Sequence, residues 1–215
     1  GEGTKRLVEP RLGEDGKPVF NTALLDEGRN WGQDIQVASL ESFNQWFRDV
    51  PGVNVSWQHS ITLERQSDGR YLFSREQPVY FWPADNRGYG NTVLPNSDSG
   101  ALAHNFHFTY ELETDFLYTD RAQRSSDYVF RFVGDDDIWV FINGQLVVDL
   151  GGVHGQQAGE VNVDAKAAEP GLEPDRRYRL KLFFAERHTA ASNFRIETNF
   201  ELRSLSLPAV TGLYD

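Results

Sequence analysis

Residues 134–146 read GDDDIWVFINGQL, in which three consecutive aspartates open onto one of the most apolar runs in the chain and an Asn-Gly pair closes it. Asn143-Gly144 stands between "IWVFI" at 138–142 and "QLVVDL" at 145–150. That arrangement signals a two-residue hairpin, because a type I′ turn needs positive φ at both central positions and Asn-Gly supplies it at least cost. The apolar run is therefore a strand, and Asp135 and Asp136 belong to the loop that leads into it at one end of a sheet. Acidic side chains are depleted in strands, and neighbouring like charges call for full solvation or a counter-cation.

Working outward, the same rhythm recurs. Alternating runs lie at 60–65 (SITLER), 70–74 (RYLFS), 105–113 (NFHFTYELE), 127–133 (DYVFRFV), 160–164 (EVNVD), 178–185 (YRLKLFFA) and 193–202 (NFRIETNFEL). Alternation with turn residues between is the pattern of antiparallel strands with one face in a core. The fold class expected is all-β: an antiparallel β-sandwich with one short helix and long end loops. The helix is placed at 40–50, LESFNQWFRDV, where Leu40, Phe43, Trp46, Phe47 and Val50 share a face, Ser39 is the N-cap and Pro51-Gly52 the stop. "GEDGKP" at 13–18 reads as a turn, and the stretch from Phe81 to Gly100 as a long surface excursion. Neither a repeat nor a linker divides the chain, so residues 1–215 read as a single domain.

Composition narrows the function classes. The chain carries 21 basic and 32 acidic residues, a net charge of −11, which disfavours a nucleic-acid partner. Aromatic residues make up 13% of it, enough large side chains for a substantial core. Cysteine is absent, which removes disulfides, thiolate zinc sites and cysteine nucleophiles. No run reaches the length of a membrane-spanning helix, so membrane insertion is not expected. The absence of any Met, even at the start, predicts a segment of a longer protein with its targeting signals elsewhere.

The chemistry of the aspartates is narrowed by spacing. An EF-hand loop needs acidic ligands at alternate positions with Gly following, whereas Trp139 stands two residues beyond Asp137. Zinc lacks thiolates here, and His104 and His107, three apart in an extended run, face opposite ways. A glycosidase pair needs carboxyls held about 5 Å or more apart across a bond, while sequence neighbours suit co-ligands of one hard cation, Ca²⁺. Successive side chains of an extended trans segment alternate, so two adjacent carboxylates gripping one ion call for a cis peptide between them.

The string GDDDIWVFINGQLVVDLGGVH, with PGVN at 51–54, AHNFHFTYEL at 103–112 and LFFAERHTAASNFRIET at 182–198, resembles the bacterial fibro-slime domain. That domain belongs to the protective-antigen-type (PA-fourteen) β-sandwich superfamily, which includes calcium-dependent lectin domains of adhesins. The resemblance runs from about Gly13 to Leu202. It implies that a cis-linked Asp135-Asp136 pair binds calcium whose open positions take neighbouring hydroxyls of a sugar. It also implies further ligands from a second loop, at the Glu186 side chain and the carbonyls of His188 and Ala190. Asp137 stands where relatives often carry Gly, and Glu186 where fungal relatives carry Asn.

Around this site, Gly151-Gly152 and Gly155 let the loop after the hairpin pass close by, with His154, Gln156 and Gln157 as hydrogen-bonding candidates. His154, Gln157 and Arg187 are the expected sugar contacts beside Asp135 and Asp136. Two of these have a structural alternative: His154 donating to a backbone carbonyl and Arg187 balancing Glu186. Asp149 is read as a hydrogen-bonding residue of the returning strand, and Trp82 and Tyr89 as either loop anchors or stacking platforms. The function expected is a non-enzymatic, calcium-dependent carbohydrate-binding module of a bacterial adhesin. It would be secreted or at the cell surface, monomeric in isolation, and bind monosaccharides or glycans with vicinal hydroxyls. The rivals are a calcium-stiffened structural or protein-binding module and, least supported, a glycoside hydrolase, for which no Gly-x-Ser-x-Gly elbow or separated acid-base pair is present.

Overall fold

The computed structural model describes residues 3–97, 100–189 and 191–204. The chain begins with a long irregular segment holding the short helices α1 (Ala23–Asp26) and α2 (Leu40–Asn44). There follow β1 (Glu64–Arg65), β2 (Tyr71–Arg75), β3 (Thr92–Ser97), β4 (Gly100–His104), β5 (Phe108–Tyr118), β6 (Val129–Gly134), β7 (Asp137–Ile142), β8 (Gln145–Leu150) and β9 (Gln157–Asn162). A third short helix, α3 (Val163–Lys166), precedes β10 (Arg176–Glu186), β11 (Phe194–Thr198) and β12 (Arg203–Ser204). The strands form two five-stranded sheets, ordered β1-β2-β11-β6-β9 and β12-β5-β10-β7-β8, plus the β3-β4 hairpin. Every pairing is antiparallel, so the all-β sandwich expected from the alternation is the fold observed.

The β7–β8 hairpin turns at Asn143 (φ 49°) and Gly144 (φ 76°), both left-handed as the Asn-Gly pair demands. On β7, Ile138, Val140 and Ile142 face the opposite sheet. Together with Leu180, Leu182 and Phe184 of the adjacent strand β10, they share one core with Phe130 and Phe132 of β6 and Phe194 and Ile196 of β11 in the other sheet. The alternate residues Trp139 and Phe141, with Phe183 of β10, point the other way and are equally buried. Their cover is the N-terminal segment, which lays Leu7, Val8, Phe20, Leu24, Ile35, Val37 and Phe43 over the outer face. That second core explains why β7 reads as continuous apolar sequence rather than alternation.

Four expectations are corrected. The helix placed at 40–50 ends at Asn44, and Phe47 adopts a left-handed φ of 59°, which no continuing helix accommodates. Ser39 does cap it, accepting from Ser42 N at 3.1 Å, and the aromatic face survives as loop residues on the second core. Instead of one short helix, three occur among the described residues, together with a 3₁₀ turn at Arg121–Gln123. The supposed excursion from Phe81 to Gly100 carries strand β3 and the start of its partner β4. His104 accordingly ends β4, while His107 lies between β4 and β5, so the two do not share one strand.

Trp139 is the largest side chain that the sheet contributes to the second core: it lies edge-on to Phe43 and Phe47 and donates Nε1–H to Asp149 Oδ1 at 3.1 Å. Trp139→Ala should destabilise the domain by about 3–5 kcal/mol, read as a lower urea midpoint with the transition still cooperative.

Candidate functional site

The three aspartates sit where β6 hands over to β7, and they are buried: Asp135 is 8% exposed, Asp136 1% and Asp137 0%. The Asp135-Asp136 peptide is cis. Gly134 is required just before it, because a Cβ there would stand 2.3 Å from the carbonyl oxygen of Asn193, just before the neighbouring strand β11.

Each carboxylate is held by a different part of the fold. Asp135 takes the main-chain N–H of Asn193 at 2.5 Å and its side-chain amide at 2.8 Å, at the start of β11. Asp136 joins two loops, accepting from His154 N after β8 and from Arg187 N after β10, each at 3.0 Å. Asp137, the first residue of β7, points to the outer face with Trp139 and Phe141. There Gly152 N donates to one oxygen and Arg187 Nε to the other at 2.6 Å.

Glu186, at the end of β10, is 2% exposed. Its Oε1 accepts from His188 N at 3.1 Å, while its Oε2 is buried with no partner. The hydroxyl of Ser192 is likewise buried without a partner at full hydrogen-bonding geometry, yet it lies near enough to the Glu186 carboxyl to oppose the rise of its pKa. Among the described residues, the one ion pair made by these four carboxylates is Asp137–Arg187. Burial, followed by the charges of Asp136 and Asp135, pushes the Glu186 carboxyl up to about 9. Burial also raises Asp135 above its ordinary value against the opposing donors of Asn193, and raises Asp137 against the pull of Arg187.

The expected ligands are thus distributed as follows. Asp135, Asp136 and Glu186 converge at one end of the sandwich, and Ala190 lies outside the described residues. His188 is exposed, with its N–H spent on Glu186 and its Nδ1 beside the carbonyl of Thr189. His154 is 4% exposed, with Nε2 at 3.0 Å from the Leu150 carbonyl and Nδ1 at 2.7 Å from that of Gly155. It reaches the site through its main-chain N–H, so its ring is not the sugar contact expected. Arg187 balances Asp137 rather than Glu186, stacks over Trp46 and donates Nη1 to the carbonyl of Gln36.

Gln157 opens β9 opposite Gly134, half-buried near the aspartates, and Gln156 donates to Glu76 at 2.6 Å. Asp149 accepts from Trp139, Gly151 and Arg6 and is a structural acceptor. Trp82 stacks on His104 with centroids 4.5 Å apart and so anchors its loop, whereas Tyr89 is 74% exposed. Asn193, Ser192 and Gln36 went unread in the sequence, since nothing in their spacing ties them to the aspartates before the strands are paired.

Among the described residues, no group of three or more His or carboxylate side chains stands around one point at metal-holding geometry. The chemistry of the donor set nevertheless fits a hard cation: oxygen donors only, an orphaned Glu186 oxygen, and buried negative charge offset by a single guanidinium.

Residues 49–206 match the family model of the PA14 domain. Similar curated proteins of Dictyostelium discoideum include Protein psiD, 36% identical over 196 residues, which are 90% of this chain and 35% of that protein. Protein psiR is 37% identical over 204 residues, covering 93% of this chain and 19% of that one. Protein psiH is 40% identical over 206 residues, covering 92% and 27%. The chain thus spans about a third or less of the length of these relatives. No solved structure matches the chain. Among the described residues, no helix is long and apolar enough to cross a membrane.

The raised Glu186 carboxyl sets a pH dependence whose sign is fixed. Between its ordinary 4.5 and about 9, the folded chain holds a proton that the unfolded chain has released. This contribution to stability is complete below the lower value and lost as pH rises through the upper one. In chelator, the melting temperature should therefore fall from about pH 5 towards pH 9, and Glu186→Gln should flatten that slope in a scanning-calorimetry series.

Proposed function

We propose that this chain, which belongs to the PA14 domain family, is a calcium-dependent carbohydrate-binding module of a surface adhesion protein, acting without catalysis. Within the family, the fibro-slime group is the finer placement proposed. The relatives come from Dictyostelium discoideum, so the proposal does not specify a bacterial source. PA14 domains are often carbohydrate-binding or adhesion modules, which supports the class of function.

The observation that carries the calcium reading is the burial of four carboxylates beside a single ion pair, with Glu186 Oε2 left without a donor. Burying unpaired negative charge is costly, and such groups either take up protons or meet a cation. Asp135, Asp136 and Glu186 would hold the ion, with main-chain carbonyls of the loop after β10 completing its shell. Calcium, when bound, supplies a hard cation with several coordination positions that vicinal hydroxyls of a sugar can share with water.

The chain's own residues orient this arrangement. Asn193 fixes Asp135, the N–H groups of His154 and Arg187 fix Asp136, and Arg187 neutralises Asp137 so that its charge stays paired within the outer face. His188 and Gln156 are exposed in the loops that follow β10 and β8. Affinity for one sugar should be weak, since few atoms are buried, and useful adhesion would come from many copies. The saturation of Asp136 with loop N–H groups favours a second reading, in which the cation stiffens the loops and no sugar binds.

Isothermal titration of L-fucose, D-mannose and D-glucose in Ca²⁺ and again in EDTA separates the two. Heat with calcium that vanishes in chelator is the expected result. A melting temperature that rises with calcium while no sugar gives heat would favour the stiffening role instead. Asp136→Asn, which removes the charge and keeps one of the two acceptor oxygens while setting an amide NH2 against the other loop's N–H, should weaken calcium binding more than tenfold and loosen one of the two loops, with the β-sheet signal retained by circular dichroism.

A further inference from the structure

The family match begins at residue 49, yet the segment before it reaches the carboxylate site. Thr4 lies against the loop after β8, its N–H donating to the Gly151 carbonyl at 2.6 Å. The approach leaves no room for side chains: a Cβ on Gly152 would stand 2.1 Å from Thr4 N, and one on Gly151 2.7 Å from Thr4 O.

Gln36 lies at the centre of this contact. Its neighbours Ile35 and Val37 are buried at 0% and 3% exposure in the second core, and its own backbone is left-handed, with φ 59°. That conformation lets one residue reach both loops of the site. Its side-chain Oε1 accepts the N–H of Val153 at 2.8 Å and is 3.4 Å from the hydroxyl of Thr4, while its carbonyl accepts from Arg187 Nη1. Val153 and Arg187 are not arbitrary partners. His154, next to Val153, donates its N–H to one oxygen of Asp136, and Arg187 donates its own N–H to the other. Arg187 also pairs with Asp137, to which Gly152 donates as well.

We propose that Gln36 is a positioning residue of the carboxylate site: through it the N-terminal segment, docked on the outer face of the sheet, fixes the two loops whose main-chain N–H groups hold Asp136. The segment outside the family match thereby sets how well the aspartates are arranged for a cation. The proposal rests on the calcium reading only for its binding consequence, because the fixing of the loops has a separate readout. Partners that orient ligand side chains from behind commonly change metal affinity by roughly 10–100-fold when removed.

The test compares the natural chain with Gln36→Met, which keeps the size and loses the acceptor, and Gln36→Glu, which keeps an acceptor oxygen at the same reach. Amide hydrogen exchange at Val153, His154 and Arg187 is measured in chelator, and affinity is measured by titration with Ca²⁺ alone. Gln36→Met should exchange faster at Val153 and His154 and bind calcium about tenfold more weakly, with Gln36→Glu restoring both, while Arg187, whose contact with the Gln36 carbonyl both variants keep, should be little changed. Unchanged exchange and affinity in Gln36→Met would overturn the proposal. Equal losses in both variants would overturn it too, since packing rather than the acceptor would then be at work. Should the natural chain bind no calcium, the cation reading fails by itself and exchange alone decides. Faster exchange in Gln36→Met only would then support the positioning role, and equal rates would refute it.

Discussion

Strand β7 is buried on both faces, and the rest of the molecule answers to that constraint. A sheet sandwich on its own covers only the inner row of Ile138, Val140 and Ile142. Trp139 and Phe141 on the outer row need a second cover, which the first fifty residues provide with little regular structure of their own. At roughly 1.5–3 kcal/mol for each large apolar side chain fully buried, leaving that face open would cost more than a domain's usual margin of stability. The irregular N-terminal segment is thus as much part of the fold as the strands are.

The same alternation that splits Trp139 from Val140 assigns the aspartates their tasks. Asp137 falls on the outer row and is drawn under the N-terminal cover, where only a guanidinium makes burial of its charge tolerable; Arg187 meets it there. Asp135 and Asp136 precede the strand and face the loop cluster instead. Their donors are mostly main-chain N–H groups, which are fixed dipoles at no cost in side-chain ordering. Three neighbours in sequence therefore serve three separate structural connections, and the acidic run is neither a solvated turn nor one undivided cluster.

The sheet architecture was legible because its signals are local. Asn143-Gly144 fixes the hairpin, and β8 falls on the residues where alternation put it, Gln145 to Leu150. The unusual setting of Asp135 and Asp136 was legible as a conflict between charge crowding and apolar context, and the structure shows both buried. What escaped depends on contacts between distant segments. The direction of Asp137 follows from a cover formed by residues more than eighty positions upstream, and the engagement of His154 follows from the path of the loop after β8. The helix at 40–50 was overextended because Trp46 and Phe47 keep helical spacing while packing from a loop, where burial rather than periodicity decides their placement. The β3–β4 hairpin escaped because "NTVLPNSDSGALAH" contains a Pro, several turn residues and no clean alternation.

Asp136 also shows why the site's rigidity precedes any ligand. Its two donors come from loops that follow β8 and β10, strands held on either side of β7 in one sheet. The spacing of those loops is therefore set by the sheet, and the carboxylate closes a frame whose other sides are strands. Binding at such a frame does not have to order the chain first, so the free energy of each contact is retained rather than offset by lost conformational entropy. Under the proposed function, a frame this small would offer a ligand few contacts, so strength would have to come from repeated engagement rather than from a single site.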